Sequence, residues 1–152
     1  MSIDARLSEL NITLPDAPAP AANYVPYVRT GNLLFVSGQI SAAADGLIMG
    51  RLGHDMDTAA GAAAARACGL SLMAQARAAL GSLDRVARVV KLTGFVASTP
   101  DFTDQPEVVN GCSDLMVEVF GDRGRHARAA VSAPSLPRGV AVEIEAVFEI
   151  EG

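Results

Sequence analysis

Hydrophobic and polar residues alternate most regularly at the end of the chain. Val140, Val142, Ile144, Ala146, Phe148 and Ile150 fall on one side of a period-two pattern; Ala141, Glu143, Glu145, Val147 and Glu149 fall on the other. Strand side chains point alternately to opposite faces, so this spacing predicts a strand with the first set on a core and the second on a more polar surface. Val86 to Val96, rich in β-branched residues, predicts another strand, ended by Ser98-Thr99-Pro100-Asp101. Val25–Arg29 and Leu33–Ser37 flank Thr30-Gly31-Asn32, a hairpin signal, and Asp45-Gly46 marks a second turn before the apolar patch Leu47 to Met49. His126 to Val131 reads as a further strand after the turn Phe120-Gly121-Asp122-Arg123-Gly124.

Three stretches follow a helical period instead. Ile3, Leu7 and Leu10 predict a short helix over 2–10, which the following Leu-Pro-Asp-Ala-Pro-Ala-Pro cannot continue. That segment reads as an extended strap. The longest candidate runs from Asp57 to Leu80, with Asp57 or Thr58 as N-cap and Gly81 suited to the left-handed position past its end. Its stripe of Ala62, Ala65, Gly69, Leu72, Ala76 and Leu80 can lie tightly against a sheet. A second long helix, from Thr103 or Pro106 to Val119, turns Val108, Cys112, Leu115 and Val119 inward. This order predicts an α+β fold with the helices gathered on one face of a mixed sheet. Residues 1–22 form the short helix and strap, and 23–152 a single domain. A chain of 152 residues supports one full core, burying roughly 68–70% of its unfolded surface.

Charge narrows the partners. The net charge is −5, with one Lys and eleven Arg. The densest basic group is Arg123, Arg125 and Arg128. Polyphosphate binding depends on clustered cations that displace counterions, so general nucleic-acid binding is disfavoured. Cys68 and Cys112 lie in half-apolar helical stretches and read as reduced thiols in the core. No apolar run approaches the ~20 residues of a membrane helix, and the first residues lack a charged-then-apolar leader. A cytoplasmic protein is expected.

The usual catalytic signatures are absent: no Gly-Lys-Ser/Thr loop, no Gly-x-Ser-x-Gly, no Cys-x-x-Cys, no His-Glu-x-x-His. His54 and His126 have no ligand-like neighbours, so neither metal nor cofactor is expected. What remains is His126-Ala127-Arg128-Ala129-Ala130-Val131 and, after Leu136-Pro137, Val142-Glu143-Ile144-Glu145. Small neighbours leave room around the Arg128 guanidinium, whose planar fork matches a carboxylate. Glu143 can hold a water or accept a proton. The plain alternative is an Arg128–Glu143 ion pair between adjacent strands.

Phe35-Val36-Ser37-Gly38-Gln39-Ile40, Ala127-Arg128-Ala129-Ala130-Val131, and Leu136-Pro137 followed by Val142-Glu143-Ile144-Glu145-Ala146-Val147 together resemble the RidA/YjgF family, also labelled L-PSP endoribonuclease or enamine/imine deaminase. The resemblance spans roughly residues 23–150. It implies a chorismate-mutase-like fold and a homotrimer whose sheets form a central barrel, with ligand clefts between subunits. It further implies that Arg128 binds a substrate carboxylate and Glu143 contacts the reacting water. Tyr27, Gly38, Asn110 and the Ala130 backbone would line the cleft. His126 stands where the family usually has Pro; it is either a further polar group of the cleft or a hydrogen-bonded bystander. With the extension before Asn23, it marks a longer branch of the family. The implied reaction is hydrolysis of 2-aminoacrylate-type enamines or imines to 2-keto acids and ammonia. The competing functions are non-catalytic binding of a small carboxylate in the same cleft and, against the charge balance, the ribonuclease of the older label.

Overall fold

The structure, a computed structural model, describes residues 1–151. A short helix α1 (Ile3–Glu9) leads through the strap to β1 (Tyr27–Thr30) and β2 (Leu33–Ile40). A small hairpin follows, β3 (Ala42–Ala43) and β4 (Gly46–Leu47). Then come α2 (Thr58–Leu80), β5 (Val86–Ala97), α3 (Gln105–Phe120), β6 (Ala127–Ala133) and β7 (Val142–Ile150). The main sheet has the order β1-β2-β7-β5-β6. Its pairings are antiparallel except β5 with β6, which α3 connects as a parallel crossover. The expected mixed sheet with helices on one face is what the chain forms.

Local chemistry accounts for the boundaries. Asp57 accepts the Ala60 amide as N-cap of α2, and Gly81 ends that helix with φ 82°, where a side chain would be strained. Pro106 occupies the first turn of α3, where its missing N–H costs nothing. On β7 the predicted inward set from Val142 to Ile150 is buried, but Ala141, assigned to the polar side, is as fully buried as Val140, because the strand and its alternation begin only at Val142. The inward set meets Leu72, Met73, Leu92, Leu115 and Met116 in one core. Ile3, Leu7 and Leu14 belong to that same core, so the N-terminal helix seals an end of it. Its first amide bonds Asp84 at 2.7 Å, and Arg6 bonds the Glu118 carbonyl at 2.9 Å.

Two features of the sheet position the functional groups. Strand β2 carries a bulge between Val36 and Gln39, opposite Ala146 and Ile144 of β7. One extra residue there bends the strand and re-aims its side chains. The sheet face away from the helices also stays open: Val28, Phe35 and Val131 are 51, 43 and 44% exposed.

Candidate functional site

The predicted residues gather in two places rather than one. Arg128 on β6 lies level with buried Leu92, on the helix side of the sheet. Glu143 on β7 lies level with Phe95 and Ile40. Leu92 and Phe95 are an odd number of residues apart on one strand, so Arg128 and Glu143 emerge on opposite faces. They form no ion pair.

The first cluster is built by α3 and the edge strand β6. Asn110 and Ser113, three apart, share one face of α3. Arg128 Nη1 donates to Asn110 Oδ1 at 2.8 Å and to Ser113 Oγ at 3.1 Å, while Nη2 donates to the Pro106 carbonyl at 3.4 Å. All three partners are neutral, and among the described residues no carboxylate reaches the guanidinium. Its charge is therefore held in place but not cancelled. Nε–H and one Nη2 proton remain free for a carboxylate.

His126 joins this cluster. Its Nδ1 lies 2.6 Å from the Gly124 carbonyl, which can only accept, so Nδ1 carries the proton. Nε2, 2.9 Å from Ser113 Oγ, then accepts the hydroxyl proton, and Ser113 oxygen in turn accepts from Arg128. Burial lowers the His126 pKa from its ordinary value; the Gly124 carbonyl opposes this, and the nearby Arg128 charge adds to it. The neutral ring fits both bonds.

The second cluster faces a cavity of about 690 Å³ at the β2 bulge, lined also by Gln39 and by Gln75 of α2. Gly38, inside the bulge, allows the closest approach: a Cβ there would collide with Glu143 Oε2. Burial raises the Glu143 pKa above its ordinary value, and Glu145 two residues on adds repulsion. Both carboxylates line the cavity, with Tyr24, Arg138 and residues 18–22 of the strap.

Of the residues predicted from sequence, Arg128, Asn110 and His126 come together at the first cluster, and Glu143 with Gly38 at the second. Ala130 is half-buried against the core beside Gly94. Tyr27 pairs with buried Val36 and packs on the core side. Tyr24, three residues earlier, is the aromatic ring of the cavity. Ser113 and Gln75 were not singled out by sequence. Only the Asn110–Ser113 spacing pointed to the first, and a lone amide in an Ala-rich helix to the second.

The family described as "YjgF/chorismate_mutase-like, putative endoribonuclease" matches residues 4–148. The chain belongs to the RidA/YjgF family. Protein TCP17 of Trypanosoma cruzi is 52% identical to this RidA/YjgF chain over 97% of it and 94% of its own length. The Agrobacterium tumefaciens protein Atu1372, of unknown function, is 47% identical with a TM-score of 0.90, covering 99% of this chain and 94% of its own. A Shewanella oneidensis protein carrying the endoribonuclease label is 31% identical with a TM-score of 0.95, covering 99% and 100%. The Escherichia coli YjgF product is 29% identical but has a TM-score of 0.62, covering 88% and 93%. At similar identity the two RidA/YjgF structures superpose on this chain to very different extents.

Proposed function

We propose that this protein hydrolyses reactive enamines and imines of the 2-aminoacrylate type to 2-keto acids and ammonia, in clefts shared by neighbouring subunits of a cytoplasmic homotrimer. The observation that carries the reading is the Arg128 guanidinium, fixed by Asn110, Ser113 and the Pro106 carbonyl yet facing no carboxylate among the described residues. Such a fork suits the carboxylate of a small acid. Glu143 lies across the sheet, so one chain cannot bring the two groups to one ligand; a second subunit supplying Glu143 completes the pair. The open sheet face with Val28, Phe35 and Val131 supports that packing.

The chemistry asks for positioning rather than a covalent nucleophile. Arg128 neutralises the substrate carboxylate and favours the imine over the enamine tautomer. Glu143 holds a water against the imine carbon and takes its proton as the tetrahedral carbinolamine forms. Returned to the nitrogen of the carbinolamine, that proton makes ammonia the leaving group, and as the C–N bond breaks and the carbonyl forms, Glu143 takes the remaining hydroxyl proton and passes it on to the departing nitrogen. The raised Glu143 pKa brings the group nearer the range where it can both take and return a proton. The test is keto-acid release from an enzymatically generated imine. Wild type should accelerate it, and Arg128→Ala should remove the acceleration while assembly persists. Indistinguishable rates across a range of imino acids refute deamination. Calorimetric binding of keto acids without turnover would leave a binding protein instead.

A further inference from the structure

The strap has few means of staying where it is. Its prolines cannot donate to a ladder, and residues 15–22 are exposed on their outer side. One strong bond fixes it: Gln75 Nε2 donates to the Pro18 carbonyl at 2.6 Å. Gln75 is 2% exposed, on a helix whose other buried residues are largely apolar. An amide in that setting is costly unless it is bonded, and its bonds lead in two directions. Besides Pro18 it donates to Gln39 Oε1 at 3.3 Å, and Gln39 Nε2 donates to the Ser37 carbonyl at 2.9 Å. Ser37 precedes Gly38, the residue that admits the Glu143 carboxylate. One run of amides thus ties the strap to the bulge that seats Glu143.

The cavity these parts enclose is large for a three-carbon acid. About 690 Å³ lies within the roughly 300–1,000 Å³ of pockets that take drug-sized ligands. Its chemistry is also divided. Glu143, Glu145, Arg138 and Gln39 are its polar lining, while the strap contributes only apolar residues, among them Pro18, Pro20 and Ala22. We propose that the strap is the wall that receives the ligand's side chain, latched by Gln75, and that within the 2-imino and 2-keto acids the site binds those with large apolar side chains more tightly than the three- and four-carbon ones. This rests on the reading of the cleft as a carboxylate site.

The test is calorimetry on the full-length protein with pyruvate, 4-methyl-2-oxopentanoate and phenylpyruvate, stable stand-ins for the imines. Wild type should bind the two larger acids at least about tenfold more tightly than pyruvate, since one buried methylene is worth roughly that much in an apolar pocket. Gln75→Met keeps the length of the side chain without adding charge but can donate to neither Pro18 nor Gln39, and should bring the ratio to within about threefold of one. Ala22→Trp alters an exposed strap position, leaves the core intact, and should collapse the ratio by filling the space. Equal or tighter binding of pyruvate by wild type overturns the proposal, as does a preference that survives both substitutions. Failure of wild type to bind any of the three acids takes down the carboxylate reading, and this inference with it.

Discussion

Replacing Gly111 by Ala pits two well-calibrated effects against each other. Gly111 sits on α3 where it crosses α2, beside Asn110, and a methyl there would overlap the Ala62 carbonyl oxygen and carbon. Both obstacles are main chain, so no rotamer change relieves them. Propensity alone favours the change by about 1 kcal/mol, since Ala replaces Gly within a helix. Overpacking costs typically about 1–3 kcal/mol and more where nothing can give. Taking the upper end of that range leaves a net loss of about 2 kcal/mol. In a chain of this size each kcal/mol moves the melting temperature by roughly 2–4 °C, so Gly111→Ala should melt about 4–8 °C below wild type. Thermal unfolding at matched protein concentration measures this, the matching being needed because assembly shifts the midpoint. Displacing α3 also moves Asn110 off Arg128, so keto-acid affinity should weaken in the same variant. An unchanged or higher melting temperature would show that α2 and α3 are not in main-chain contact and would undo the account of how Arg128 is oriented.

Other substitutions separate charge from geometry. Arg128→Lys keeps the charge but loses the fork, and keto-acid affinity measured by calorimetry should fall roughly 10–100-fold, the value of a charged hydrogen bond. The raised Glu143 pKa means that stability present below its ordinary value of 4.5 is lost as pH rises through its folded value. Melting curves of Glu143→Gln should therefore coincide with wild type near pH 4 and lie above it at pH 7. His126 has the opposite sign: its contribution is present above the ordinary 6.5 and is lost as pH falls through the lowered folded value. His126→Asn should flatten the decline in melting temperature on the acid side of that point. Cys112 is buried, with its thiol pushed up to about 12, and Cys68 is buried and raised as well. Neither should react with a thiol reagent at pH 8 until the protein is denatured, which a timed labelling assay reads directly.

Much of this architecture is visible in local pattern, and what is hidden is hidden for a physical reason. The alternation on β7 predicted its buried residues because a period-two pattern has only two phases. Asp57 and Gly81 bounded α2 because caps are local chemistry. The tyrosines are different: Tyr24 and Tyr27 lie three apart, and only the pairing of Tyr27 with Val36 decides which one meets the core. Gln75 stands beside the stripe of small residues with no local signal of its role, since its partners, Pro18 and Gln39, are 57 and 36 positions away. The placement of Arg128 against Glu143 was equally out of reach. Strand order interposes β5 between their strands, and no spacing in the chain encodes that neighbour.

That interposed strand has a genetic consequence. If each cleft draws its guanidinium from one chain and its carboxylate from another, a subunit damaged at one position still carries an intact copy of the other group. Coexpressing Arg128→Ala and Glu143→Gln chains should then rebuild some working clefts inside mixed assemblies, though either chain by itself is inert. Allelic complementation of this kind is closed to proteins whose reacting groups all come from a single polypeptide.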